Sequence, residues 1–221
     1  KQKSIERFLG IYREDQYHGG QLIDVYKIYL QTHEDELYDM LMLHNREDLE
    51  GMPLILPILN YPDFFEHPFL LKNETVLDDR VILQLENPVF LPVSCACRTE
   101  LGSFSADGQK AVLEIPLYRG VLKHFYENYK DYYYLPLEDE AVHKSIASYV
   151  DSSCRQKAKA SNCYKKISGF FLRAYGNPNL SQFKTDYESK EIYIQWTSEF
   201  SASPEMQQEF LREFFKNLPK K

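Results

Sequence analysis

The stretch Val81-Ile82-Leu83-Gln84-Leu85-Glu86 marks the point where the apolar periodicity of this chain changes. Its odd-numbered residues are all aliphatic, and two of the three residues between them are polar, which is the period of a half-buried strand. Upstream of it, apolar residues recur at helical spacing. Downstream of it, the strand period returns several times. We therefore predict an α+β chain, with helices first and a mainly antiparallel sheet with further helices after them.

Three helices are predicted upstream of this stretch, from apolar residues at helical spacing over 4–9, 21–30 and 35–59. Pro53 and Pro57 are expected to kink or end the third helix. The segment 61–79 is rich in Pro, Phe and acidic residues. We interpret it as a linker between a helical region at 1–60 and a second region at 80–221.

The second region is predicted to contain both strands and helices. Strand patterns occur at 89–98, 111–118, 132–135, 168–174 and 191–197. Helices are predicted at 121–129, 140–150 and 204–218. Asp139 is suited to be the N-cap of the second of these helices, and Pro204 suits the first turn of the last one.

Length, charge and cysteine content exclude several classes of protein. The 221 residues leave room for one large or two small domains, and the net charge of −7 does not indicate a nucleic-acid binder as a whole. No apolar run approaches the roughly 20 residues that a membrane span requires, and the first residues lack the apolar core of a signal peptide. Four Cys do not make a dense disulfide framework, so we expect a reducing, cytoplasmic location. Because the chain does not begin with Met, we expect it to be part of a longer protein.

His44 and Asp48 are four residues apart in the third predicted helix, and therefore on one of its faces. This spacing can direct an imidazole and a carboxylate into one pocket. A surface pair or a local hydrogen bond is the ordinary alternative for two such residues.

Several blocks in the first sixty residues resemble the C-terminal third of the YprB-type, RNase H-like exonuclease domain. These blocks are KSIERFLGI at 3–11, RED at 13–15, Gly20, YKIY at 26–29 and LHNREDL at 43–49. Their order and spacing carry the resemblance, which covers roughly a quarter of the chain.

The resemblance implies a DEDD-type 3′–5′ exonuclease, in which four acidic residues hold two divalent metal ions, Mg²⁺ or Mn²⁺. Asp48 matches the fourth acidic position and is the candidate metal ligand. His44 falls where the family commonly has a Tyr that orients or deprotonates the attacking water, so His44 and Asp48 are the candidate catalytic residues. Two-metal hydrolysis needs carboxylates that converge on cations about 3.5–4 Å apart. Asp15, Asp24 and Asp39 do not have the spacing of the three other ligands.

The missing ligands of this family pattern are expected upstream of the first residue. We therefore expect no metal to bind this chain alone and no nuclease activity from it. The expected partners are nucleic acid, and either the missing N-terminal part of the parent protein or a second copy of the chain.

The segment 152–185 is strongly basic. It has seven Lys or Arg residues and no acidic residue, which gives +7 in 34 residues and leaves −14 for the rest of the chain. Aromatic side chains lie between these cations, and cations for phosphates with aromatics for bases are what single-strand binding requires. The alternative is a solvated cationic face. The candidate nucleic-acid-binding residues are Arg155, Lys157, Lys159, Lys165 and Lys166.

The region 80–221 resembles no domain of known function. Its stretch YYYLPLEDEAVHKS at 132–145 looks like a segment that accompanies this exonuclease domain in bacterial proteins. A zinc site built from the four Cys is an alternative to four small buried apolar side chains, but the pairs Cys95–Cys97 and Cys154–Cys163 lack the usual ligand spacing. Two functions stay open: part of a metal-dependent nuclease, or a non-catalytic nucleic-acid- or protein-interaction module.

Overall fold

The computed structural model describes residues 1–100 and 102–217, and its fold is α+β. The chain divides into two compact units. The helical unit contains residues 1–66, 88–95 and 107–109. The sheet unit contains residues 67–87, 96–106 and those from 110 onward.

Four α-helices and one 3-10 turn make up most of the helical unit. They are α1 (Gln2–Phe8), α2 (Gly19–Thr32), α3 (Asp35–Leu54), the 3-10 turn Leu56–Leu59 and α4 (Asn60–Glu66). A capping box starts α2, because the side chain of His18 accepts from the backbone of Gln21 and the side chain of Gln21 accepts from the backbone of His18. The first three helices agree with the prediction. Within the described ranges, no helix has both the length and the hydropathy needed to cross a membrane.

Over the described residues after α4, the structure has nine strands and three α-helices. The strands are β1 (Leu70–Val76), β2 (Arg80–Thr99), β3 (Gly102–Phe125), β4 (Tyr132–Leu135), β5 (Glu140–His143), β6 (Gln156–Lys157), β7 (Tyr164–Ala174), β8 (Gln182–Phe183) and β9 (Ile192–Trp196). The helices are α5 (Lys144–Ala147), α6 (Ser198–Ala202) and α7 (Pro204–Lys216). A six-stranded sheet has the order β1-β2-β3-β7-β9-β8, and a three-stranded sheet has the order β5-β4-β6.

The alternation that opens β2 sets its buried face. Val81, Leu83 and Leu85 are buried, whereas the residues between them are exposed or half-buried. β1 pairs with this part of β2 in antiparallel register. The predicted strand period is thus confirmed here, and it continues through strands longer than predicted.

The last part of β3 belongs to a small closed ring of strands. β3 pairs with β7, β7 with β9, and β9 with β8, all antiparallel. Lys184, which directly follows β8, exchanges two backbone hydrogen bonds with Lys123 of β3. The strand order therefore returns to β3. The interior of this ring of strands is filled by a cluster of Leu122, Phe171 and Phe183.

The helix α7 supplies further apolar side chains to the core of the sheet unit. Ser203 is its N-cap, Pro204 is in its first turn, and Phe210 and Phe214 are buried. This agrees with the helix predicted at 204–218, of which Leu218 lies outside the described residues.

Two predicted helices are wrong. Residues 121–125 are the end of β3, because each of them pairs with a residue of β7, and such long-range pairing overrides local helical spacing. Glu140–His143 is a strand paired with β4, and only Lys144–Ala147 is helical. Asp139 is not a helix cap, since its φ of 55° places it in a left-handed turn ahead of β5.

The segment 61–79 contains folded elements, namely most of α4 and all of β1. Tyr61 both donates to and accepts from the backbone of Val93, at 2.8 and 3.1 Å. The division of the chain at this segment stays a prediction.

Candidate active site

His44 and Asp48 lie side by side on α3, as their spacing predicts. His44 Nε2 is 3.4 Å from Asp48 Oδ2. The side chain of Asp48 is 43% exposed, whereas that of His44 is 17% exposed. Of the two, the carboxylate is therefore the group that an external ligand reaches more easily. Their catalytic and metal-binding roles stay predictions.

Arg13 joins Asp48 to a buried carboxylate from α1. Its Nε and Nη2 atoms each lie 2.5 Å from an oxygen of Glu6, which is a bidentate ion pair. Its Nη1 donates to Asp48 Oδ1. Glu6 is almost fully buried, and the guanidinium holds the pKa of Glu6 below its ordinary value. Asp48 is thus partly neutralised by a cation of its own chain.

The close approach of α1 to α3 supports this ion pair. Gln2 Nε2 donates to Glu6 Oε1 and to the carbonyl of Asp48, both at 2.9 Å. Gly51 of α3 is buried, and a Cβ at this position would lie 2.2 Å from Glu6 Oε1. A larger residue at position 51 would therefore displace the carboxylate that pairs with Arg13.

A third carboxylate, Asp15, lies on the other side of His44. Its Oδ2 is 2.6 Å from His44 Nδ1 and 2.7 Å from Lys3 Nζ, and its Oδ1 accepts from the backbone N–H of Tyr17 at 2.8 Å. Burial would raise the pKa of Asp15, but the hydrogen bonds from Lys3, His44 and Tyr17 outweigh burial and lower the pKa to about 2. His44 consequently sits between two carboxylates, Asp15 and Asp48.

Glu47 fixes the segment that carries Arg13 and Asp15. Its carboxylate oxygens accept the backbone N–H groups of Glu14 and Asp15, at 2.9 and 3.0 Å. Because Glu47 directly precedes Asp48 on α3, one turn of this helix both presents Asp48 and holds the segment that neutralises it.

Sequence reasoning missed Glu6, Arg13 and Glu47 as parts of this cluster, and it set Asp15 aside for its spacing. All four residues lie in the blocks that carry the exonuclease resemblance, which was the available signal. Arg13 pairs with Glu6 across 7 positions and with Asp48 across 35, and helical periodicity does not reveal such contacts.

The arrangement of these carboxylates decides how well a metal pair fits. Among residues 1–100 and 102–217, no three His, Cys, Asp or Glu side chains are grouped to hold a metal ion. Glu6 points to Arg13, and Asp15 points to Lys3 and His44, rather than toward a common cation. The described residues do not by themselves fit the two-metal site that the exonuclease resemblance implies.

The same observation applies to the zinc alternative, since the described cysteines form no such group. Cys163 is fully buried, and burial raises the pKa of its thiol to about 11. It packs as a small apolar side chain beside Ala141 and Ala158.

The predicted nucleic-acid-binding residues do not form one continuous face. The Arg155 guanidinium lies 5.0 Å from the ring centroid of Tyr133 on β4, and Lys157 of β6 pairs with the same Tyr133 in strand register. Lys159 is exposed at the start of a 3-10 turn.

Lys165 and Lys166 are consecutive residues of β7, and therefore point to opposite faces of the sheet. Lys166 Nζ lies 3.2 Å from Asp139, whereas Lys165 is exposed. The role of the five predicted residues in binding stays a prediction.

Comparison with known proteins gives one match, and it covers the region that contains this cluster. No curated protein and no solved structure matches the chain. Residues 1–60 match the RNase_H_2 family model of the RNase H superfamily. This segment, which carries His44 and Asp48, is therefore similar to proteins with a nuclease-type fold.

Proposed function

We propose that residues 1–60 are part of a metal-dependent 3′–5′ exonuclease that acts on nucleic acid. In this proposal Asp48 is one ligand of a Mg²⁺ or Mn²⁺ pair, and His44 is the group that acts on the attacking water. The observation that carries the proposal is the match to the RNase H superfamily over the segment in which His44 and Asp48 are neighbours.

The remaining metal ligands in this proposal come from outside the described residues. Glu6 and Asp15 are buried in ion pairs, and Glu47 is bound to two backbone N–H groups. Asp48, which is 43% exposed and paired with Arg13, is therefore the carboxylate of the cluster that we expect a metal to reach. We therefore propose that the 221-residue chain does not hydrolyse nucleic acid by itself, and that Arg13 neutralises Asp48 when no metal is near.

A second candidate function is a non-catalytic interaction module for nucleic acid or protein. The ion pair between Arg13 and Asp48 favours it, because a carboxylate held by a guanidinium serves the structure of the helical unit. In this case the nuclease-type fold is present but Asp48 has no part in catalysis.

The experiment that separates the two candidates is a hydrolysis assay on a 5′-labelled single-stranded oligonucleotide with Mg²⁺ or Mn²⁺. The 221-residue chain and, where the gene encodes a longer protein, that full product are each tested as wild type and with Asp48→Asn. Asp24→Asn is the matched control, because Asp24 is a 74% exposed carboxylate of the same helical unit that pairs with the exposed Lys27.

We expect the full product to shorten the oligonucleotide from its 3′ end. Asp48→Asn should slow this hydrolysis by at least about 100-fold. Even mutation of the outer groups that hydrogen-bond to metal ligands lowers metal affinity or activity about 10–100-fold. Asp24→Asn should have no effect. Equal rates for the wild type and Asp48→Asn would remove Asp48 from the mechanism, and no cleavage by the full product would favour the interaction module.

The proposal includes a reducing, cytoplasmic location. It is supported by the low cysteine content of the chain and by the free cysteines at positions 95, 97, 154 and 163.

A further inference from the structure

The outer face of the strand ring carries cations and aromatic rings on neighbouring strands. Leu122 and Phe171 point into the ring, so the residues next to them in β3 and β7 point outward. Register places outward residues directly opposite each other, namely Arg119 with Phe170 and Lys123 with Lys166. We call this surface the outer ring face; it comprises Arg119, Lys123, Lys166, Phe170, Lys184 and Trp196.

Two further residues extend the outer ring face to the neighbouring strands. Trp196 of β9 lies opposite Phe170, so two aromatic side chains are adjacent on the same side of the sheet. Lys184 forms a β-bridge with Lys123 on the opposite side of β3 from β7. Because the preceding Phe183 points into the ring, Lys184 points outward. Three lysines, at 123, 166 and 184, therefore occupy adjacent positions.

The aromatic rings on this face are accessible. Phe170 is 40% exposed, and Trp196 is half-buried. The guanidinium carbon of Arg119 lies 5.4 Å from the centroid of the Phe170 ring. Arg119 and Phe170 are therefore neighbours, and single-strand binding combines positive charge for the backbone with aromatic rings for the bases.

Positive charge on the outer ring face is largely uncompensated. Lys166 is 3.2 Å from Asp139. For Arg119, Lys123 and Lys184, no carboxylate among the described residues lies within ion-pair distance. Lys123 Nζ instead lies 4.4 Å from the ring centroid of Tyr164. In a chain with a net charge of −7, this face is a local patch of positive charge.

We propose that the outer ring face binds single-stranded nucleic acid. Arg119, Lys123 and Lys184 contact phosphates, and Phe170 with Trp196 provides stacking surfaces for bases. Bases that stack on protein rings must be unpaired, which favours a single strand over a duplex. The proposal rests on the proposed function only for the class of ligand, and it names a surface that is separate from Asp48.

The test measures fluorescence anisotropy of a labelled 20-nucleotide single strand, with EDTA present so that no hydrolysis occurs. Two variants remove the face: Arg119→Gln/Lys123→Gln removes charge, and Phe170→Ala removes the ring. Lys110→Gln/Lys130→Gln is the charge-matched control, because both lysines are exposed and lie off the outer ring face. Lys157→Gln/Lys159→Gln tests the basic segment 152–185, for which the sequence predicts nucleic-acid binding. Circular dichroism checks that each variant is folded.

Arg119→Gln/Lys123→Gln should weaken binding by about 10-fold and flatten its dependence on salt concentration, because phosphate contacts set that slope. Phe170→Ala should weaken binding by at least about 5-fold, as expected for one stacking platform. The control pair should change affinity less than about 2-fold.

Four results would overturn the proposal: no binding by the wild type at 50 mM salt, wild-type affinity in both face variants, a larger loss in Lys157→Gln/Lys159→Gln, or equal competition by polyglutamate or duplex DNA. Binding by the 221-residue chain, together with no Asp48-dependent hydrolysis by the full product, would leave this proposal standing and the exonuclease proposal refuted. Hydrolysis without face-dependent binding would do the reverse.

Discussion

Different interactions stabilise the interior of the helical unit and the interior of the sheet unit. In the helical unit, Glu6 and Asp15 are buried, and their ion pairs join segments far apart in sequence. Large apolar side chains of its helices stay exposed, such as Ile23 at 58% and Leu49 at 70%. In the sheet unit most buried side chains are apolar, and Phe171 and Leu122 are fully buried, although Asn87, Gln207 and Glu213 are buried there too.

This difference shows which kind of interaction stabilises the structure of each unit. Burial of apolar surface stabilises the sheet unit without requiring any particular partner geometry. Buried ion pairs contribute little net stability, because desolvation of the charges offsets their attraction, but removing one partner is costly. The helical unit is thus defined by specific polar contacts around Asp48.

The largest effect is expected in the ring of the sheet unit. Phe171→Ala should lower the free energy of unfolding by about 4 kcal/mol, because it leaves a cavity between Leu122 and Phe183. Phe170→Ala, one residue away on the outer face, should cost only about 1 kcal/mol, because its ring is already 40% exposed. Urea unfolding followed by circular dichroism compares the two. Similar losses would mean that Phe170 is as much a core residue as Phe171.

Loss of Arg13 should be the strongest perturbation of the helical unit. Arg13→Ala leaves Glu6 buried without its guanidinium and should cost about 3 kcal/mol. Faster amide hydrogen exchange within residues 1–60 measures this loss locally. Lys27→Ala removes an exposed pair with Asp24 and should change stability by less than about 0.5 kcal/mol. Unchanged exchange in Arg13→Ala would show that the ion pairs do not hold this unit.

A smaller effect should come from the close approach at Gly51. Ala favours a helix interior over Gly by about 1 kcal/mol, but here its Cβ would meet Glu6 Oε1. We therefore expect Gly51→Ala to be destabilising by about 1 kcal/mol. Gly19→Ala is the control, because no atom lies within 4 Å of a Cβ at that position, and it should be neutral or stabilising. Thermal unfolding distinguishes the two signs, and stabilisation by Gly51→Ala would contradict the packing described.

The smallest effect should be a pH dependence in the sheet unit. Hydrogen bonds from Tyr134 and Tyr164, and the nearby Lys166, lower the pKa of Asp139 to about 2. A lowered pKa in the folded state gives stability that is complete above about pH 4 and is lost as the pH falls toward 2. Asn tolerates the same left-handed backbone as Asp139. Asp139→Asn should therefore reduce the pH dependence of the urea unfolding midpoint between pH 4 and 2. An unchanged slope between pH 4 and 2 would remove Asp139 as its source.

Much of the fold follows from local patterns, and the failures have a common cause. The helices α1 to α3, the start of β2 and α7 follow from apolar period and capping residues. Local spacing predicts a helix at 121–125 because it does not reveal the pairing of this stretch with β7, about forty residues away. Asp139 was predicted as a cap because sequence does not show its backbone conformation.

The candidate site was predictable to a similar extent. One-turn spacing places His44 beside Asp48, and local spacing alone establishes that contact. The partners of this pair come from α1 and the segment after it, so their convergence depends on tertiary packing. Likewise, cations grouped by sequence at 155–166 are divided between surfaces by strand alternation. Lys123 instead lies opposite Lys166 across a strand pair, and Arg119 lies opposite Phe170.

The most direct test of the account is Mn²⁺ binding to the 221-residue chain, measured by titration calorimetry for the wild type and Asp48→Asn. With Asp48 paired to Arg13 and no three ligands grouped among the described residues, we predict no saturable site tighter than about 1 mM in either protein. A saturable Mn²⁺ site in the wild type that disappears in Asp48→Asn would contradict the account, because it would show that this chain completes a metal site around Asp48.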